Sequence, residues 1–193
     1  MINRRELVAS GVAATLLTQV SLASVRAGSE GAPSVFVSDD RKPEARAAAR
    51  EAATLGVDTL PLGTDVTAVY EWLDLSLRQS PLTVAGLTTP HALFVIERLA
   101  WDRDLRTVYR GLHQRVRGRL SSLKLVGSPD IAESVRSIDN GNFGRDLGRI
   151  LARATPGPSD HAFLVTSQHV PRQNDTALAS WLLAPRDQLR ARA

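Results

Sequence analysis

The chain of 193 residues has no cysteine, one methionine and two lysines, and only 5% of it is aromatic. Without cysteine there is no disulfide, no thiolate nucleophile and no Cys-ligated zinc or iron–sulfur cluster. Familiar site signatures are missing as well. No G-x-G-x-x-G or G-x-x-x-x-G-K-[ST] run offers a dinucleotide fingerprint or a P-loop. No G-x-S-x-G elbow supports an α/β-hydrolase triad. His91, His113, His161 and His169 do not fall into H-x-x-x-H or H-E-x-x-H spacing, so neither a metal nor a cofactor is predicted.

What is present suits a folded domain. A hydrophobic fraction of 43% with 23% charged residues is enough for a packed core, and the length fits one domain better than two. The formal charge is +4, but residues 1–27 carry Arg4, Arg5 and Arg26 against Glu6, which leaves 21 Lys and Arg against 19 Asp and Glu in the remainder. That small excess gives no general case for nucleic-acid binding. Lys42 and Lys124 are the only lysines, so nearly all the positive charge is arginine, the better bidentate binder of carboxylate and phosphate.

At the N-terminus, Asn3-Arg4-Arg5-Glu6-Leu7-Val8 precedes an uncharged stretch over 9–23 and then Val25-Arg26-Ala27. The order is that of a basic region, a moderately apolar region and a small-residue cleavage site. Two arginines followed at two positions' distance by Leu7 and Val8 resemble the twin-arginine signal, and the resemblance covers residues 1–27 alone. It implies export of a chain already folded to the periplasm or beyond, with a cofactor, a partner or fast folding as the reason. Ser10, Thr15, Thr18, Gln19 and Ser21 make the stretch too polar for a permanent membrane span.

Residues 28–33 read as a linker and 34–193 as one α/β domain. β-rich runs at 34–37, 59–62, 82–85 and 106–110 have centres about 24 residues apart, the length of a strand, a helix and two loops. Helices are predicted over 43–55, with Pro43 at its start and Gly56 past its end, and over 65–77 and 90–101. A fifth strand is expected at 123–126, short helices after Ser128 and from Phe143, and a strand at 162–165. Residues 179–183 read as either a strand or a short helix. The expected architecture is an open, mainly parallel, Rossmann-like sheet flanked by helices.

Ligands of such sheets sit beyond the carboxyl ends of the strands. That rule selects the loops 38–41, 63–65, 86–89, 111–113 and 127–128. Gly86, Thr88 and Thr89 are the preferred ligand-binding residues: a close backbone approach, two hydroxyls and the helix that begins at Pro90 suit an anionic small molecule. The plainer role of Thr89 is to cap that helix. Asp39, Asp65 and His113 are the candidate acid, base or ligating groups, with helix capping the plainer role of the two aspartates and a surface position that of His113.

Arg106, Arg110, Arg115 and Arg117 belong to six arginines within 17 residues and are read as a surface for an acidic partner, or else as a solvated helix face. Trp72, Trp101 and Trp181 fit helix or core anchors, and an exposed one would mark an interface. The functional expectation is a periplasmic accessory or ligand-binding protein that partners an exported redox enzyme or solute system. The alternative is a small periplasmic transferase or hydrolase that uses the strand-end crevice.

Overall fold

A computed structural model describes residues 31–116, 119–138, 141–156, 162–165 and 177–190. The leader at 1–27, Arg117, His161 and His169 lie outside the described residues. Seven strands form one open sheet in the order β2-β1-β3-β7-β4-β5-β6. They are β1 (Val35–Asp39), β2 (Asp58–Leu62), β3 (Val84–Thr88), β4 (Leu105–Val116), β5 (Arg119–Gly127), β6 (Ala162–Val165) and β7 (Leu178–Pro185). The helices are α1 (Pro43–Thr54), α2 (Thr67–Gln79), α3 (Pro90–Asp102), α4 (Pro129–Arg136), α5 (Phe143–Arg153) and α6 (Arg186–Arg190).

The βα period accounts for the first half. β1 pairs in parallel with β2 on one side and β3 on the other, so successive crossovers lie on opposite faces of the sheet. Val35 and Val37 point to the face covered by α2 and α3, and Phe36 to the face covered by α1 and α5. Beyond β3 the sheet is antiparallel. β7 enters between β3 and β4 and pairs antiparallel with both, and β4, β5 and β6 continue as antiparallel neighbours. Residues 179–183 are therefore a strand, fully buried, because β7 is covered on both faces.

β4 is longer than the run 106–110 suggests. Gly111, Leu112 and His113 stay in the ladder, each paired with β7, and the strand ends only at Val116. Arg106, Arg110 and Arg115 are thus on a strand, not a helix. The strand's alternation sends successive side chains to opposite faces, which a helical reading does not anticipate.

The α1–α5 contact is unusually close. Gly144 and Gly148 of α5 lie over Glu44 and Ala48 of α1, and a Cβ on either glycine would stand 2.3 Å from a backbone carbonyl oxygen. Ala45, Ala48 and Ala52 supply the matching small surface. Arg145 and Arg149 of α5 close the edge by donating to Glu51 of α1 at 3.0 and 2.8 Å. The donation from Arg149 lowers the Glu51 carboxyl below its ordinary pKa, with Arg145 adding to it.

Gly148→Val is expected to lower stability by about 1–3 kcal/mol, because the added branch meets main chain that cannot turn aside. Gly63→Ala, placed where nothing lies within 4 Å, is expected to change stability by less than about 0.5 kcal/mol. Urea unfolding of the two variants, read at the midpoint with unchanged slope, checks the difference.

Candidate functional site

The carboxyl ends of β1, β2, β3 and β4 share one edge of the sheet, which the amino ends of β5 and β7 also reach. Of the five candidate loops, the one at 127–128 is on the opposite edge, because β5 runs antiparallel to β4. The remaining candidates divide by face.

Gly86 and Thr88 point to the α2/α3 side, where Trp181 of β7 occupies the space a ligand would need. A Cβ on Gly86 would stand 2.3 Å from the Trp181 ring, and the indole Nε1 donates to Thr88 Oγ1 at 3.1 Å. Gly86 therefore admits a tryptophan rather than a guest molecule. Thr89 is the N-cap of α3, its Oγ1 accepting from the Ala92 amide at 3.3 Å.

Asp39 ends β1 on the same face with its carboxylate buried. Arg41 donates to it twice from the guanidinium, at 2.8 Å each, and once from the main-chain amide at 3.1 Å. Burial pushes the Asp39 carboxyl up, but these bonds and the adjacent charge outweigh it and hold the pKa below the ordinary value. Asp39 does not cap α1, whose N-cap is Lys42. Asp65 lies exposed beyond β2 and accepts from the amide and hydroxyl of Thr67 at 2.8 and 2.6 Å, which lowers its pKa. It holds the first turn of α2 together.

His113 is on the other face and is neither at the crevice nor at the surface. Its ring is fully buried, packed edge-on against Phe143 with centroids 5.0 Å apart. Nε2 is 2.6 Å from Ser180 Oγ and Nδ1 is 3.0 Å from Ser122 Oγ, and Ser180 Oγ is in turn 3.0 Å from the Tyr109 hydroxyl. Four polar side chains from β4, β5 and β7 thus form one chain inside the core. Gly111 makes room for it: a Cβ there would lie 2.4 Å from the Tyr109 hydroxyl and 2.6 Å from Ser180 Oγ.

Burial pushes the His113 pKa down to about 3, so the ring is neutral at ordinary pH. Burial likewise pushes the Tyr109 hydroxyl well above its ordinary pKa, against a smaller opposing effect from Ser180. A Ser–His pair at this distance has the reach of a nucleophile and its base. Both groups are sealed within packed side chains, and the sheet separates them from Asp39.

The arginines also divide. Arg110 pairs with Glu97 of α3, on the α2/α3 face. Arg115 pairs with Glu44 of α1, on the opposite face. Arg106 pairs with Asp104 at 3.2 Å. They do not form one patch. Sequence reasoning passed over Ser122 and Ser180 as partners of His113 and Tyr109 as a partner of Ser180; Trp101, read as an anchor that would mark an interface if exposed, stands on α3 with 44% of its surface exposed, beside Phe94 at 61%. The seven-residue interval between Phe94 and Trp101 was the available signal for a shared helix strip.

Among the described residues no group of three or more His, Asp or Glu side chains is placed to hold a metal ion, and no helix is long and apolar enough to cross a membrane. No family model, no curated protein and no solved structure matches this chain.

The buried ring has a consequence for acid stability. An unfolded His113 takes up a proton as pH falls through 6.5, whereas the folded one resists until about 3, so stability is lost as pH falls between those values. The slope approaches about 1.4 kcal/mol per pH unit once pH is well below the unfolded value. His113→Gln is expected to be less stable at pH 7 but to lack that slope between pH 6.5 and 4.5, as read from urea midpoints across this range.

Proposed function

We propose that this is an accessory protein that works by binding another protein, and that it leaves the cytoplasm folded, through the twin-arginine route, to act in the periplasm. The observation that carries the binding reading is the outer flank of α3. Phe94 and Trp101 are exposed there, and the Arg98 guanidinium lies 5.6 Å from the Trp101 ring centroid. Aromatic and arginine side chains grouped on a surface are the residues that dominate protein–protein binding energy.

The strand-end groups considered for catalysis have structural work instead. Asp39 holds Arg41, Asp65 holds Thr67, Thr89 caps α3, and His113 is sealed in the core. An anionic small molecule at Gly86, Thr88 and Thr89 is displaced in this reading by Trp181, so the expected occupant of the protein is another protein. The export reading rests on Arg4-Arg5 and the residues that follow. A sheet whose middle strand comes from residues 178–185 is complete only when nearly the whole chain is present, which suits a route that carries folded cargo.

Gentle cross-linking of the untagged protein in the cell that makes it is expected to yield one stoichiometric partner. Recovery of the free monomer alone would overturn the binding reading. Arg4→Lys combined with Arg5→Lys is expected to keep the protein in the cytoplasm, read by cell fractionation, and unimpaired export of that variant would overturn the twin-arginine reading.

A further inference from the structure

The arginines of α3 and the first half of β4 differ in what they hold. Arg103 pairs with Asp74 of α2, Arg106 with Asp104, and Arg110 with Glu97. Arg98 has no carboxylate partner among the described residues, and Asp102, one turn further along α3, does not pair with it. Its guanidinium lies 5.6 Å from the centroid of the Trp101 ring. A ring attracts the cation but supplies no oxygen, so the fork of N–H donors that suits a carboxylate is not taken by one.

Phe94, Arg98 and Trp101 are spaced i, i+4 and i+7, share one strip of the helix, and are all exposed. Seven residues of helix span about 10 Å, so the strip sets one cation between two rings at that separation. The helix beneath it is held firmly. Leu93, Ile96 and Leu99 face the core, and Glu97 is anchored to β4 through Thr107 at 3.0 Å and through Arg110. A strip fixed in this way needs little ordering when something binds to it.

Charge selects the occupant. The leader of this chain carries Arg4, Arg5 and Arg26 against Glu6, and would bring like charge to Arg98. A second copy of α3, laid antiparallel so that each Phe94 meets the other copy's Trp101, would bring the two Arg98 side chains to within one residue's rise of each other, about 1.5 Å along the axis. Burying those two like charges together is costly. A different protein with a carboxylate at that point has neither fault. Its segment is a helix, because the main-chain groups of α3 are spent within α3 and would leave those of an extended segment unpaired. We infer that the strip receives a helix of the partner protein that offers two apolar residues one heptad apart to Phe94 and Trp101, with an Asp or Glu between them for Arg98. This rests on the partner-binding reading above and names the kind of segment that binds.

The test uses the full chain carrying a photo-cross-linking p-benzoylphenylalanine in place of Phe94, one aromatic side chain for another, or in place of exposed Glu133 on α4 of the opposite face, in the cell that makes the protein. Cross-linked peptides are mapped by mass spectrometry. The expected result is a cross-link from position 94, and not from 133, to one segment of a different protein in which an acidic residue stands between apolar residues of helical period. Arg98→Glu, which changes an exposed side chain without a carboxylate partner among the described residues and is expected to leave the urea midpoint in place, should weaken that cross-link about tenfold. Replacing the partner's acidic residue by Lys should restore it in the Arg98→Glu background.

A cross-link from 94 to a second copy of this chain, to another part of the same chain, or to a segment without acidic residues would overturn the inference, as would capture undiminished by Arg98→Glu. A partner recovered by general cross-linking but not from position 94 would overturn it while leaving the accessory reading intact. Failure to capture a partner from either position, with none recovered by general cross-linking, would overturn both.

Discussion

The whole sheet depends on one insertion. β3 and β4 are consecutive strands joined by α3, yet they do not pair; they leave a slot one strand wide, which the C-terminal strand β7 fills. Without β7 the remaining strands fall into two separate sheets, β2-β1-β3 and β4-β5-β6. The interaction that fixes β7 in depth is Trp181 against Gly86, where the missing Cβ of the glycine admits the indole and Thr88 takes its N–H. Removing a buried ring of that size costs about 3–5 kcal/mol in a typical core. Here the loss would fall on the only strand that joins the halves.

On the opposite face the same strand carries Ser180 into the polar chain with Tyr109, His113 and Ser122. A buried polar group left without a partner costs about 1–3 kcal/mol. A slip of β7 by one residue would turn Ser180 toward the α2/α3 core and strand both Tyr109 and His113. It would also lift Trp181 out of the space above Gly86. The apolar fit on one face and the polar chain on the other therefore specify the same register, and neither tolerates the alternative. This accounts for a histidine and a serine at catalytic distance in a place without access for a substrate.

Much of the architecture is legible because it is local. Apolar runs mark all seven strands, and Pro43, Gly56 and Thr89 mark helix ends by backbone chemistry that operates within a few residues. The position of β7 in the sheet is not legible, since it is set by packing against residues about 70 to 95 positions earlier in the chain. The same distance hides the role of His113, whose ring is explained by Ser180 and Phe143 and by nothing adjacent to it. Two features were within reach of pattern alone. The period of two in a strand divides Arg110 from Arg115, and the small residues Ala45, Ala48 and Ala52 match Gly144, Gly148 and Ala152 as two faces able to touch. A glycine and a histidine interrupt the apolar pattern of β4, which made a long strand look like a short one followed by a helix.

The close α1–α5 contact bears on function through the space it saves. Because glycines let these helices approach to backbone contact, α1, α4 and α5 fit side by side and roof one face out to β5. Among the described residues, the helices on the other face are α2 and α3, which cover β2, β1, β3 and β7 and reach Leu105 of β4. An exposed phenylalanine and tryptophan on that boundary carry a standing cost in solubility, since exposed apolar surface invites unselective association. Scattered exposed hydrophobic residues need no explanation, and Tyr70 and Leu75 on α2 are of that kind. Phe94 and Trp101 differ because they share one strip of α3 with Glu97, which is anchored to β4 through Thr107 and Arg110, and with the Arg98 guanidinium beside the Trp101 ring. In the partner-binding reading, selective association answers that cost by burying both rings.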